Sequence, residues 1–272
     1  EQEVQIPYLL PSAETMKPGT RALDVDDEST LDIDKTHLLV FDAQDKLLYE
    51  AKLTGIQPIV GDHQRGNLTA RLRKTTDAVS LVLYANVEGT WTDPAAYTSK
   101  AEVAKSLTFS VPADKAWAVG GRLPMWGEAN KVTLDFANPS AILRNGKILH
   151  LIRAVARIDV GLNLTFPSSF ANDVDFDETA QVLTGTDESG NEITYTLKSV
   201  ALYRAADKGL IAPTVVIGGS DGYSALTRTP ALPTGVSAVN RSLSDVSDNI
   251  VKRSLYVPET CLLYTSPSPR DS

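Results

Sequence analysis

The sequence predicts an all-β chain made of two tandem β-sandwich domains, with one short helix in the first. Three observations support this prediction. At least seven short stretches carry the apolar or alternating pattern of β-strands, turn-forming residues recur about every ten residues, and one stretch has helical spacing. The strand patterns fall into two sets on either side of Asn145-Gly146, and 272 residues are enough for two domains.

The first set of strand patterns follows a proline-rich N-terminal stretch. Residues 4–10 (VQIPYLL) have the composition of a short edge strand, in which Pro7 limits ladder pairing because it lacks an N–H group. Residues 79–87 are apolar on both faces, which is typical of a strand at the centre of a sheet. Further strands are predicted at residues 35–42, 46–53, 67–72 and 131–136, and the helix at residues 99–107.

A stretch in the middle of the chain, residues 150–160 (HLIRAVARIDV), alternates from Ile152 onward. Its period of two predicts a strand with Ile152, Ala154, Ala156, Ile158 and Val160 on the buried face. A helix is the alternative, because Arg153 and Arg157 of the outer face are four residues apart. The β-branched residues and the following Gly161 favour the strand.

The pair Asn145-Gly146 precedes this stretch. Asn-Gly between two apolar segments predicts a two-residue β-hairpin, here between residues 142–144 and 147–149. This turn is where we expect the first domain to end.

The second set of strand patterns is sparser. Strands are predicted at residues 192–203, 213–217 and 254–259, and extended chain at residues 161–170. Residues 173–190 are acidic, and residues 218–254 are rich in Gly, Ser, Pro and Asn, so both segments are predicted to be loops.

The charge pattern argues against several classes of partner. The net charge is -8 and the basic residues are scattered, whereas nucleic-acid binding and attraction to anionic lipid both need a basic patch. No run of about 18 apolar residues is present. The sequence therefore predicts no nucleic-acid partner and no membrane-spanning helix.

No motif for catalysis, metal binding or cofactor binding is found. His37, His63 and His150 have no metal-ligand spacing, and neither a phosphate-binding loop nor a nucleophile elbow occurs. The acidic cluster of residues 24–28 lacks the spacing of a calcium loop and fits a solvated linker better. Paired carboxylates are common enough that a hydrolase is not excluded by sequence, but the prediction is a non-enzymatic protein without cofactor or metal.

Arg21 stands in a segment suited to proteolysis. It follows Pro18-Gly19 and precedes the acidic residues 24–28, ahead of the first core strand. Polar, exposed connectors of this kind are preferred sites of cleavage. An ordinary surface arginine is the alternative interpretation.

The last twelve residues are excluded from the fold prediction. Residues 261–271 (CLLYTSPSPRD) resemble the translation of an adapter used in preparing sequencing libraries, and they contain the single cysteine, Cys261. We expect residues 261–272 to be non-native and the natural chain to be interrupted near Thr260. A genuine Ser/Pro-rich tail is the alternative.

Six segments, in order, resemble the fimbrillin family, the type V pilins of Bacteroidetes. They lie between about residues 20 and 260. They are VFDAQDKLLYE after the acidic approach, LVLYANV, LPMWGE, LIRAVARIDV, KSVALYRA and LYVPE.

The resemblance implies a subunit of a cell-surface fimbria or pilus that supports adhesion. Members have two transthyretin-like Greek-key sandwiches and are exported through the outer membrane as lipoprotein precursors. An Arg-specific protease trims them, which places the cut between Arg21 and Ala22 and releases the strand of residues 4–10. A strand of another pilin subunit then fills the groove. The expected partners are other subunits of the same kind, the protease, and host surface glycans or proteins.

On this basis the chain divides into four parts. These are an N-terminal pro-segment at 1–21, an N-terminal sandwich at 22–147, an incomplete C-terminal sandwich at 148–260, and the tail at 261–272. Two departures from the family stand out: no lipid-carrying cysteine lies at the N-terminus, and the C-terminal strands, including the expected donor, are missing after Thr260.

Two alternatives belong to other classes. One is a surface lipoprotein, or a fimbrial tip or anchor subunit, that binds glycan or protein without polymerising. It would be favoured if Trp91, Trp117 and Trp126 met on one exposed face. The other is a secreted hydrolase.

Overall fold

Within the residues that the structure describes, the chain is all-β with one short α-helix. The structure is a computed structural model. It describes residues 1–11, 30–60, 62–111, 122–159, 172–177, 182–212, 216–217, 227–228, 233–244 and 254–258.

The described residues form eighteen strands and one α-helix in two groups. The first group is β1 (Gln2–Leu9), β2 (His37–Phe41), β3 (Leu47–Ile59), β4 (Asp62–Leu72), β5 (Val79–Ala85), α1 (Lys100–Ser106), β6 (Thr108–Ser110), β7 (Met125–Val132), β8 (Leu149–Arg153) and β9 (Val155–Asp159). The second group is β10 (Asn172–Asp177), β11 (Val182–Thr186), β12 (Glu192–Thr196), β13 (Ser199–Ala206), β14 (Lys208–Leu210), β15 (Val216–Ile217), β16 (Thr227–Arg228), β17 (Ala238–Ser244) and β18 (Ser254–Pro258).

Seven strands of the first group form one closed sheet in the order β1-β4-β3-β2-β5-β7-β8. Neighbours are antiparallel except for β8 and β1, which are parallel and close the sheet through two residue pairs, Tyr8 with Leu149 and Leu9 with His150. The all-β prediction is confirmed. The finer prediction of two transthyretin-like sandwiches stays a prediction.

The first hydrophobic core lies inside the closed sheet. All seven strands contribute to it, among them Val4, Leu38, Ala51, Leu68, Leu81, Met125 and Leu149. Alternate residues of each strand point to this side, as the two-residue period of a strand requires.

A second core lies on the other face of β2, β5 and β7. It joins Leu39, Val82 and Trp126 of these strands to α1 and to Tyr256 of β18. Strand β5 is therefore buried on both faces, which confirms its prediction as a central strand. The two halves of the chain share this core, and they also meet where β6 pairs with β14.

Helix α1 begins and ends as predicted. Ser99 caps its N-terminus, accepting a hydrogen bond from the Glu102 N–H, and Glu102 returns a bond to Ser99. The helical spacing predicts an apolar stripe of Ala101, Val103, Ala104 and Leu107. Val103 and Ala104 are buried and Leu107 is partly buried, whereas Ala101 is exposed.

The predicted continuous strand at residues 150–160 is wrong in one respect. It is two strands, because Ala154 lies outside both ladders and donates its N–H to the Pro124 carbonyl. Strand β8 pairs with β7, and β9 pairs with β18. The change of partner reverses the faces, so Val155 is buried whereas Ala156 and Ile158 are exposed.

The Asn145-Gly146 turn forms without the predicted hairpin. Both residues have positive φ, 61° and 67°, as a turn of this composition requires. However, Leu143 bridges to Leu134, and β8 pairs elsewhere. The closed sheet runs to Arg153, and the division of the chain at residue 147 stays a proposal.

Other corrections concern strand bounds. Residues 131–136 are the end of β7 followed by a turn, and the predicted strand at 192–203 is two strands with different partners, β11 and β17. The predicted loops at 173–190 and 218–254 contain β10, β11, β16 and β17. Within the predicted strand at 213–217, Val216–Ile217 form β15, and residues 213–215 lie outside the described residues.

Candidate functional site: the N-terminal strand and its groove

Strand β1 is separated from the next strand of the closed sheet, β2, by the long segment between Leu9 and His37. It pairs with β4 along its whole length, from Gln2 opposite Leu72 to Leu9 opposite Arg65. The Leu10 N–H extends the ladder by donating to the Gln64 carbonyl at 2.7 Å. The predicted short edge strand is therefore a full member of the sheet. We call the space between β4 and β8 that it fills the β1 groove.

Alternate side chains of β1 fill the first core. Val4, Ile6, Tyr8 and Leu10 are buried, whereas the intervening Gln5, Pro7 and Leu9 are partly exposed. Burial also raises the pKa of the Tyr8 hydroxyl. This strict alternation is the pattern that a strand entering from outside would need to repeat.

The Tyr8 ring lies directly against Gly66 of β4. A methyl group at Gly66 would be 2.3 Å from Tyr8 Oη and 2.4 Å from its Cζ. Glycine is therefore required there by the close approach of the ring, because real side chains do not come so near.

The free edge of β1 is covered in two ways. Near its C-terminal end, β8 pairs with Tyr8 and Leu9. Near its N-terminal end, the segment after β7 covers it: Ile142 N–H donates to the Gln5 carbonyl, and Gln2 Nε2 donates to the Phe136 carbonyl at 3.2 Å. Strand β1 thus has a continuous ladder on the side of β4 and only a few backbone contacts on its other side.

Both ends of the connector between β1 and β2 are fixed to the sheet. At its start, Arg153 Nη2 donates to the Pro11 carbonyl at 3.1 Å. At its end, buried Asn86 accepts a hydrogen bond from Asp32 N–H and donates to the carbonyls of Thr30 and Leu123. Asn86 has a positive φ of 57°, which Asn tolerates better than most residues.

Arg122 adds two contacts at the end of this connector. Its guanidinium lies 3.0 Å from the Asp32 carboxylate, and its Nε donates to Thr30 Oγ1. The chain from residue 30 onward is thus held to the closed sheet by contacts that do not involve β1.

Arg21 and Ala22, the predicted processing residues, lie outside the described residues, as does the rest of the connector from 12 to 29. The predicted cut stays a prediction.

The tryptophans do not form the exposed face that glycan binding would need. Trp126 is buried in the second core. Trp91 stacks on His37 with ring centroids 3.7 Å apart, and its indole N–H is bonded to Glu50 and Asp93. The side-chain hydrogen bonds of Asp93, with Glu50 first and Trp91 next, lower the pKa of its carboxyl group. Trp117 lies outside the described residues.

One buried acid, Glu128, is not among the residues predicted from the sequence. Glu128 lies in β7, opposite Val82, and is almost fully buried beside Lys100. The signal was present, because Glu128 interrupts an apolar stretch within LPMWGE, but that motif served only for the family resemblance.

The described residues show neither a cluster of metal ligands nor a membrane-spanning helix. No group of three or more His, Cys, Asp or Glu side chains is arranged to hold a metal ion there. In the same part of the chain, no helix has the length and apolar character needed to cross a membrane.

Comparison with known proteins gave matches among solved structures only. No protein-family profile and no curated protein matches the chain. Similar structures include a fimbrial assembly protein from Parabacteroides distasonis ATCC 8503, with 16% identity, a TM-score of 0.47, and coverage of 97% of this chain and 78% of that one.

Two further similar structures have related descriptions. A fimbrilin (fimA) from Porphyromonas gingivalis W83 has 16% identity and a TM-score of 0.48, with coverage of 93% of this chain and 65% of that one. A cell adhesion protein from Parabacteroides distasonis ATCC 8503, described as putative, has 13% identity and a TM-score of 0.44, with coverage of 95% and 70%.

These proteins are of the kind that the sequence motifs resemble. At TM-scores below 0.5 and identities below 25%, the likeness carries no argument about what this chain does.

Proposed function

We propose that this protein is a non-enzymatic structural subunit of a cell-surface fimbria that supports adhesion. In this proposal it is exported as a lipoprotein precursor, an Arg-specific protease cuts it between Arg21 and Ala22, and subunits then polymerise by strand exchange. Two tandem transthyretin-like domains are part of the same proposal. The observation that carries it is the seating of β1, which is a core strand with a long connector between itself and the next strand.

The loss of β1 would leave a surface that needs a replacement. The vacated groove would expose the backbone edge of β4 and the apolar side of the first core, and an added strand satisfies both at once. Burying an aliphatic or aromatic side chain contributes about 1.5–3 kcal/mol, so four positions contribute roughly 6–12 kcal/mol, comparable with the net stability of a whole domain, about 5–15 kcal/mol.

A cut at Arg21 would separate β1 from the rest without disturbing the remaining sheet. Asn86 and Arg122 hold the chain from Thr30 onward. After the cut, β1 would be retained only by its noncovalent contacts with β4, β8 and the segment after β7. It would then be open to displacement by a strand of the same alternation.

The test uses the full-length protein and a protease specific for arginine. We expect loss of residues 1–21 and the appearance of polymer ladders that resist SDS. An R21Q variant should remain uncut at this position and monomeric, whereas R144Q, which removes another exposed arginine, should behave like the wild type.

Two outcomes would contradict the proposal. Trimming that leaves only monomers would favour the non-polymerising tip or anchor protein. Ladders that form equally well with R21Q would show that assembly does not depend on this cut.

A further inference from the structure

Three charged side chains meet where α1 begins. Lys100 Nζ lies 2.9 Å from Asp45 Oδ1 and 2.5 Å from Glu128 Oε1. The exposed fractions of the side chains are 19% for Lys100, 40% for Asp45 and 5% for Glu128. An amine is thus held against two carboxyl groups in different surroundings, one open to solvent and one enclosed.

The backbone fixes Lys100 and Asp45 side by side. Lys100 N–H donates to the Asp45 carbonyl at 2.9 Å, and Lys46 and Ser99 form a β-bridge. Asp45 itself ends a tight turn after β2, where its φ is 60°. Because the main chain holds both residues, little freedom remains for the two side chains to lose on reacting, and such positioning lowers a reaction barrier.

Glu128 enters the cluster from the apolar side. It stands opposite Val82 on β7 and shares its face with Trp126, and the Tyr84 hydroxyl nearby is buried with no hydrogen-bond partner in the described structure. Burial, opposed by the charge of Lys100, raises the pKa of Glu128. A carboxyl group positioned in this way can act as a general acid or base.

We propose that Lys100 and Asp45 become joined by an amide bond between Nζ and Cγ, and that Glu128 transfers the protons. The reaction needs no oxidant, reductant or co-reactant, because it is a condensation that releases one water molecule. Asp45 is the acyl group in this proposal, since its partial exposure gives the water a path to solvent.

The reaction begins with a proton transfer and ends with the release of water. Burial opposes the charge on Lys100, but Glu128 and Asp45 outweigh it and raise its pKa, so the amine begins as ammonium. One proton passes from Nζ to the Asp45 carboxylate, which leaves a neutral amine and a neutral acid. The nitrogen lone pair then attacks Cγ. Glu128 accepts a proton from that nitrogen and returns one to the departing oxygen, the C–O bond breaks, and water leaves with Glu128 unchanged.

The bond would close a covalent loop from residue 45 to residue 100. Strands β3, β4 and β5 lie within it. A crosslink that closes a loop of this size restricts the unfolded chain. It would also replace a partly exposed ion pair with a neutral amide.

The test is the intact mass of the denatured full chain. We expect a mass lower by one water molecule than the sequence requires. After trypsin digestion, peptide 36–46, which holds Asp45, should be joined to peptide 75–105, in which the acylated Lys100 is not cleaved. A mass equal to that of the sequence, with linear peptides 36–46 and 75–100, would overturn the proposal and leave an ion pair only.

Substitutions distinguish the roles of Lys100, Asp45 and Glu128. K100R keeps the charge and should restore the full sequence mass, whereas K105R, on the same helix, should keep the deficit. D45N should lose ammonia instead of water, because its side chain is already an amide. A crosslink to peptide 123–131, which holds Glu128, would overturn the assignment of Asp45, and an E128Q variant that forms the bond at the wild-type rate would overturn the role of Glu128.

Discussion

The contact between Tyr8 and Gly66 shows how one residue adapts β4 to hold β1. The ring occupies the space where any other residue at position 66 would place its Cβ. Gly127 of β7 does the same for β8, because a Cβ there would be 2.6 Å from the His150 carbonyl oxygen. The motif Gly of LPMWGE is thus explained by packing.

A G66A substitution should destabilise the protein by about 1–3 kcal/mol through overpacking. The matched control is G55A on the neighbouring strand, where the added methyl would meet Thr69 at ordinary contact distances of 3.6–3.7 Å. Denaturant unfolding measures both. The effect of G66A should largely vanish in a Y8A background. An equal cost there, or an equal cost for G55A, would contradict the contact as described.

At the scale of elements, the β11–β12 hairpin depends on one carboxylate. Asp187 accepts hydrogen bonds from the backbone N–H groups of Ser189 and Asn191 and from the Asn191 side chain. These bonds, that of the Asn191 side chain first, lower the pKa of Asp187. The folded turn therefore stabilises the charged form of the Asp187 carboxylate.

The turn should loosen in acid. Because the folded pKa of Asp187 is depressed, its contribution is complete above its unfolded pKa and is lost as pH falls through the folded value. The amide resonances of Ser189 and Asn191, followed by NMR, should report this loss. D187N keeps an acceptor oxygen that does not titrate and should remove the pH dependence. E188Q should retain it, and a D187N profile that matches the wild type would contradict this account.

Sequence reasoning succeeded for elements whose pattern depends on local contacts. The hairpin of β2 and β3, the capped helix and the apolar β5 follow from periodicity and turn chemistry. It failed at residues 150–160, because a strand that changes partner at Ala154 keeps its alternation in sequence while its faces reverse.

The same distinction holds for the candidate site. The sequence predicted a strand at residues 4–10 but only as a short edge strand, because Pro7 was expected to weaken its pairing. The structure instead gives β1 one long ladder, with β4. The cluster of Asp45, Lys100 and Glu128 joins three distant segments, and no local pattern predicts that meeting.

At the scale of the whole molecule, β1 links the stability of the subunit to its proposed assembly. The trimmed protein should bind a synthetic peptide of residues 2–11 and gain thermal stability, because the peptide repeats the buried positions Val4, Ile6, Tyr8 and Leu10. The same peptide with Ile6 replaced by Asp should not bind, since it would bury a charge in the first core. Scanning calorimetry with each peptide measures the difference.

Two results would contradict this prediction. One is equal stabilisation by both peptides. The other is a trimmed monomer that is as stable as the uncut chain without any peptide.

The parallel pairing of β1 with β8 has a consequence for a filament. A strand in the β1 groove runs antiparallel to β4 and parallel to β8. A strand entering in the reverse direction would be parallel to β4 and antiparallel to β8. It would lose the register that places its apolar side chains in the core. If subunits join through this groove, each one therefore faces the same way as the one before it. The resulting fibre has a head and a tail, with an open groove at one end only, and it can be capped there by a single molecule.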